Sequence, residues 1–445
     1  MIRNMHLARI ARPMAKRMMS LSSYNDNYVS VLLQDKLVKF ENVFLRDACT
    51  SPESVDPFSR QKSFSTAEIV DGLTIKDTPQ VVKNANGEDV LHITWNQHGN
   101  DHKSEYPESF LVKYSTKANR RADKFFGSEQ IHWDNKALNK GLDELNSTYT
   151  DYMNPDSKEF NRVVDVLNKY GLAFIHDCPE PIHEDMTEEN TKDWPVAHLA
   201  ERFGYIKKTF YGTLFDVKNK KEAENIAYTK VFLPLHMDLL YYESPPGLQL
   251  LHALKNSTLG GENIFCDSYL AAQHIRDTDP NAFYALTQVP ISYHYDNNGE
   301  YYYFERPLIV EEEGYLESKT YRPKIKEVNY APPFQGPFET GISEILARGN
   351  NQEVGSGSNH ASASHYLLKD FLRGYKMFED FVNDPINNYQ IKLPEGTTVI
   401  FDNRRVLHSR NEFSDENGGD RWLMGAYCDG DSFRSKLRIA KRQLK

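Results

Sequence analysis

A histidine and a carboxylate stand two positions apart in His236-Met237-Asp238, the spacing at which side chains of an extended chain share one face. The residues before them, Val231-Phe232-Leu233-Pro234-Leu235, read as the end of a buried strand. An imidazole nitrogen and a carboxylate oxygen then aim at a common point, as a metal ion requires. A third donor, His408, stands far downstream in Asn403-Arg404-Arg405-Val406-Leu407-His408-Ser409-Arg410. Two histidines and one carboxylate on one face of a ferrous ion leave three positions open, which suits oxygen activation.

The chain holds a second such tripeptide, His294-Tyr295-Asp296. It runs directly into Asn297-Asn298-Gly299, a turn signal. Ligands at a hairpin tip are loosely held, so this pair reads as a solvated strand end. The first pair lies in an apolar stretch, where charge without a partner is costly.

The elements that must position these groups are mostly strands. Val29–Leu33, Val38–Phe40, Val90–Trp95 and Phe110–Tyr114 alternate or cluster β-formers between turn residues. They predict a small β-rich domain over 28–114, followed by a polar connecting segment over 115–147. A larger domain is expected over 148–445. Its predicted strands include 227–235, 248–254, 263–266, 289–295, 301–304, 397–401, 405–409 and 422–428. Helices are expected from Asp156 or Ser157 to Lys169, and over 195–203, 268–276, 280–286 and 361–383. The Gly-, Ser- and Asn-rich region 349–360 reads as a mobile surface loop. Many evenly spaced strands with a few flanking helices predict a mainly β, closed or double-sheet architecture rather than a parallel α/β fold.

Bulk properties fit a globular protein of 445 residues, 26% charged and 39% apolar. A formal net charge of -10 argues against nucleic acid as a partner. No apolar run reaches the roughly 20 residues of a membrane helix. Cys49, Cys178, Cys266 and Cys428 are scattered, which suits a reducing compartment. The first 23 residues hold Arg3, Arg9, Arg12, Lys16 and Arg17 with no acid before Asp26. That composition reads as a mitochondrial presequence, or else as a basic tail of a protein that stays in the cytoplasm.

Taken jointly, several segments resemble the γ-butyrobetaine dioxygenase and trimethyllysine dioxygenase family. They are Phe44-Leu45-Arg46-Asp47, Phe210-Tyr211-Gly212, Ala227-Tyr228-Thr229, His236-Met237-Asp238, Gly260-Gly261, Asn403 to His408 and Arg421 to Tyr427. The resemblance implies a double-stranded β-helix (jelly-roll) catalytic domain, with Fe(II) bound by His236, Asp238 and His408. It implies 2-oxoglutarate as cosubstrate, with Arg421 on its distal carboxylate and Asn263 as a further contact or a turn cap, and ascorbate as reductant. A guanidinium fork matches a carboxylate. It also implies a small trimethylammonium substrate and a homodimer.

Family resemblance places Tyr211, Phe215, Tyr228 and Tyr427 in an aromatic cage, where cation–π attraction holds an ammonium that cannot donate a hydrogen bond. Phe215 stands where the family has Trp. Asn225 is similar to the amide of the γ-butyrobetaine enzymes, whereas the trimethyllysine enzymes carry Asp there. A second amide of the butyrobetaine enzymes is not evident near Asn329-Tyr330-Ala331-Pro332-Pro333. Animal relatives hold zinc in the small domain with three cysteines and a histidine. Here Cys49 and His102 match, but Ser51 and Ser54 replace the other two, so no zinc is expected. The expected activity is hydroxylation of γ-butyrobetaine to L-carnitine. The alternatives are a trimethyllysine or other small-acid dioxygenase, and an inactive regulatory protein on the same fold.

Overall fold

The computed structural model describes residues 19–124, 129–218, 229–312, 323–341, 359–414, 416 and 418–443. Two compact units divide the chain, Met1–Ser128 and Glu129–Lys445.

In the smaller unit, three antiparallel strands (Ser20–Tyr24, Tyr28–Leu33 and Lys36–Glu41) form one sheet. A second is built on Asp89–Gln97, which pairs with Leu73–Ile75, Gln80–Lys83 and Asn100–Pro107. Val29, Val31, Leu91, Ile93 and Trp95 bury the alternating faces of both sheets in one core. Met19 is buried, and Ser20–Tyr24 is paired, so the end of the 1–23 segment is built into this unit. Residues 1–18 of that segment lie outside the described residues.

Phe110–Tyr114, expected as a strand, is part of the helix Glu108–Ser115. Pro107 ends the strand before it. Leu111 enters the core, and the Phe110 ring packs at a tilt against Tyr114 four positions on, with ring centroids 4.8 Å apart. Five apolar-rich residues fit either period, and packing decides between them. Most of the described part of 115–147, expected as a connecting segment, is helical. The unit boundary falls inside it. Trp133 belongs to the larger unit because its indole donates to Tyr170 O at 2.7 Å and its N–H to Asp267 Oδ2 at 3.1 Å.

Two sheets organise the larger unit. The first has six strands in the order Phe215–Lys218, Arg421–Cys428, Leu248–Asn256, Thr398–Asp402, Leu172–His176 and Asn146–Thr148. The second has four, in the order Leu233–His236, Val406–Arg410, Asn263–Asp267 and Asn388–Ile391. Neighbours are antiparallel except for the parallel pair of Asn146–Thr148 with Leu172–His176. The sheets pack face to face through Phe401 against Phe265, centroids 5.6 Å apart, and through Phe174 against Phe265. Helices Glu159–Tyr170, Ser268–Thr278, Pro280–Gln288 and Asn359–Asn383 flank them.

The strand expected over 227–235 is shorter, Leu233–His236. Of the loop expected over 349–360, residues 349–358 lie outside the described residues, and Asn359 opens a helix. His294 and Asp296 lie on a two-stranded hairpin whose loop, Asn298-Gly299, has both residues at positive φ. Among the described residues, no helix is long and apolar enough to cross a membrane.

Candidate metal centre

His236 and His408 are direct partners on neighbouring antiparallel strands, and their ring centroids are 4.2 Å apart. Asp238 lies just past the end of its strand, yet its carboxylate returns to both rings. Its Oδ1 is 3.3 Å from His236 Nε2, and its Oδ2 is 3.9 Å from His408 Nε2. One ligand atom from each of the three lies within 4.8 Å of the others. Among the described residues, this is the one such group of His, Cys, Asp and Glu.

Local backbone and side-chain contacts fix each donor. His236 Nδ1 donates to Pro234 O at 2.8 Å, which turns Nε2 toward Asp238. Asn403 holds Asp238 from both sides of its backbone, accepting its N–H at 2.9 Å and donating to its carbonyl at 3.0 Å. Leu239, the next residue, sits at φ 59, a strained conformation for a bulky side chain. The Asp238 side chain also accepts from the Tyr427 hydroxyl at 2.7 Å.

Electrostatics follow from burial. Burial acts to raise the Asp238 pKa, but hydrogen bonding to His236 and the nearby imidazoles outweigh it, so the carboxyl lies below its ordinary value. Burial, then the neighbouring His236, pushes His408 down to about 3, so its imidazole is neutral and available as a donor at pH 7. Its Nδ1 has no hydrogen-bond partner among the described residues. Two imidazoles and one carboxylate suit a divalent ion such as iron(II).

A cavity opens onto these three side chains. At one end, Arg421, Arg410 and Asn263 converge, Arg410 lying directly opposite Asn263 across paired strands. Burial, then the charge of Arg410, lowers Arg421 to about 9. No carboxylate pairs with Arg421 among the described residues, and its Nε lacks a hydrogen-bond partner there. Gly261, at φ 75, makes room for it; a Cβ there would meet Arg421 Nε at 3.3 Å. A buried guanidinium with no internal counter-ion is a receptor for an anion, and Asn263 Oδ1 is likewise unpartnered.

Elsewhere the lining is aromatic and aliphatic. Tyr211, Phe215 and Tyr427 are present, whereas Asn225 and Tyr228 lie outside the described residues. Phe215 rests on Gly425, where a Cβ would meet its ring at 2.0 Å, and stacks on Tyr427 with centroids 4.7 Å apart. Sequence reasoning missed Tyr241, Phe334, Gln249 and Arg410 among the lining residues, and Asn403, which holds the Asp238 backbone. For Gln249 the signal was a lone amide inside an apolar strand.

Residues 134–427 match the family described as Taurine catabolism dioxygenase TauD, TfdA family. The chain belongs to this family. It is 34% identical to the dioxygenase str8 of Strobilurus tenacellus over 417 residues, covering 91% of this chain and 85% of that one. It is 26% identical to a γ-butyrobetaine dioxygenase of Pseudomonas sp. (strain AK-1), covering 97% and 98%. It is 27% identical to a trimethyllysine dioxygenase of Meyerozyma guilliermondii, covering 94% of each. The resemblance read from the motifs is therefore borne out over nearly the whole chain.

Proposed function

We propose that the chain is an iron(II)- and 2-oxoglutarate-dependent oxygenase, with His236, Asp238 and His408 as ligands. In this reading the paired sheets are the double-stranded β-helix of the catalytic domain. The single observation that carries it is the convergence of two imidazoles and a carboxylate in a cavity that also holds a buried Arg421 with no carboxylate partner among the described residues. When bound, iron with its cosubstrate supplies oxygen activation coupled to decarboxylation of 2-oxoglutarate to succinate. The protein's own part is positioning. Arg421 and Asn263 hold the distal carboxylate, Asn403 and Pro234 O fix the ligands, and the apolar walls exclude water.

For the substrate we propose a small trimethylammonium acid, γ-butyrobetaine first, hydroxylated to L-carnitine. Tyr211, Phe215 and Tyr427 on one wall of the cavity support it. A specific observation favours a second reading, a small acid lacking the ammonium. Phe215 and Tyr427 are stacked on each other, so no cation fits between their faces. Leucines 233, 239, 251 and 423 line the rest of the wall. We further propose a homodimer in mitochondria with no nucleic-acid or membrane partner, the presequence ending before the folded Met19.

The test is succinate release with Fe(II), 2-oxoglutarate and ascorbate across γ-butyrobetaine, trimethyllysine and uncharged isosteres. Stimulation by γ-butyrobetaine above the others is expected. Preference for the uncharged isostere establishes the second reading. Absence of succinate with any compound, where a control enzyme turns over, overturns the oxygenase assignment in favour of an inactive binding protein.

A further inference from the structure

Gln249 lies on the Leu248–Asn256 strand and faces the cavity, only 2% exposed. Its Oε1 is buried and has no hydrogen-bond partner among the described residues. A buried amide oxygen without a partner carries the cost of its lost hydration. Its place in the sheet is specific. On one side it pairs with Tyr427, whose hydroxyl is bonded to Asp238. On the other it pairs with Phe401, whose ring packs against His408 with centroids 4.8 Å apart. Gln249 therefore occupies the row between the two side chains that touch Asp238 and His408.

Along the same face the next wall residue is Leu251, and Arg421 lies six positions before Tyr427 on the neighbouring strand. The cavity is thus polar at two separated places on this sheet, Arg421 at one end and Gln249 beside the ligands. A dicarboxylate with one end on Arg421 and the other at the metal matches that pattern. Of the Gln249 amide, only Oε1 is among the fully buried unpartnered atoms, so the amide nitrogen is the end left to present N–H to an oxygen ligand in the cavity.

We infer that Gln249 contacts the cosubstrate, donating a hydrogen bond to the carboxylate that chelates the metal, opposite the end held by Arg421. The inference rests on the metal-centre reading above. It gives a role to a lining residue that belongs neither to the ligand set nor to the residues proposed to hold the distal carboxylate.

The experiment is calorimetric titration of Mn(II)-loaded protein, without substrate, so that a loss is a loss of the cosubstrate contact. Two ligands are compared: 2-oxoglutarate, and 4-oxopentanoate, in which a methyl group replaces the chelating carboxylate. Gln249→Leu is expected to weaken 2-oxoglutarate about tenfold while leaving Mn(II) and 4-oxopentanoate affinities unchanged. Gln249→Glu, a closer isostere, is expected to weaken 2-oxoglutarate further by opposing like charges, and it carries the test if the leucine variant does not fold. Unchanged 2-oxoglutarate affinity in either variant, or an equal loss for both ligands, overturns the inference. Failure of the wild type to bind 2-oxoglutarate with Mn(II) overturns the metal-centre reading and the inference with it, an outcome visible before any variant is made.

Discussion

The Tyr427 hydroxyl donates to Asp238 Oδ2 at 2.7 Å, so one side chain both walls the cavity and steadies the carboxylate of the candidate metal centre. Outer partners of this kind typically matter about 10- to 100-fold in metal affinity or activity. Tyr427→Phe keeps the ring and deletes the bond. It is predicted to lower Fe(II) affinity about tenfold, read by metal titration. Wild-type affinity in the variant would show that Asp238 needs no such support.

Arg405 and Asp267 form a bidentate pair, Nη2–Oδ2 2.8 Å and Nε–Oδ1 3.1 Å, with both side chains fully enclosed. Arg405 also donates to the Lys169 and Ile131 carbonyls, and Asp267 caps the helix Ser268–Thr278. Arg405→Ala leaves a buried carboxylate unpaired, a change worth about 3–5 kcal/mol. The urea midpoint of the larger unit should fall accordingly. A loss below about 1 kcal/mol would mean that the pair is readily replaced by water.

His252 gives a stability dependence on pH away from the metal. Burial pushes it down to about 4, and its Nδ1 is hydrogen-bonded to the Thr398 hydroxyl at 2.9 Å. Between pH 6.5 and 4 the unfolded chain therefore binds the proton and the folded chain does not. The stability this neutral histidine contributes is complete above pH 6.5 and is lost as pH falls toward 4, by about 3 kcal/mol. Comparing urea unfolding at pH 7 and 4.5, His252→Gln should lose less stability on acidification than wild type. Equal losses would place the acid sensitivity elsewhere.

In the small unit, Cys49 Sγ and His102 Nε2 are 3.2 Å apart, and the Ser54 hydroxyl is 3.3 Å from the same nitrogen. Ser51 Oγ reaches Ser54 Oγ at 3.4 Å, so all four side chains meet. Two hydroxyls in place of thiolates make a poor zinc site. Ser51→Cys combined with Ser54→Cys is predicted to confer one tightly bound zinc per chain, measured by elemental analysis after dialysis, with wild type retaining none. Zinc in the wild type would show that the serines suffice.

The three donors that the structure brings together, His236, Asp238 and His408, were legible in the sequence from their types and spacing, whereas Arg421, on the same cavity, was legible only through the family resemblance. What supports them was not legible. Asn403 acts through the Asp238 backbone, and an amide in a polar-looking run gives no sign of that. The stacking of Phe215 on Tyr427 depends on Gly425, which leaves the space for the ring. The helix at 108–115 was misread because Phe110, Val112 and Tyr114 satisfy the strand period while Phe110, Leu111 and Tyr114 satisfy the helical one over the same short stretch. The expected strand over 227–235 starts later, at Leu233; ahead of it the chain is held by isolated bonds, Phe413 N–H to Lys230 O and the Arg410 guanidinium to Val231 O, rather than by a continuous ladder.

The central claim is that His236, Asp238 and His408 hold a single ferrous ion to which 2-oxoglutarate binds. Anaerobic titration of Fe(II) into protein with 2-oxoglutarate reads this directly, through the visible charge-transfer absorption of the chelate. The account predicts saturation at one iron per chain in the wild type and no absorption in His408→Ala. The same band in His408→Ala, or none in the wild type at any iron concentration, would contradict it.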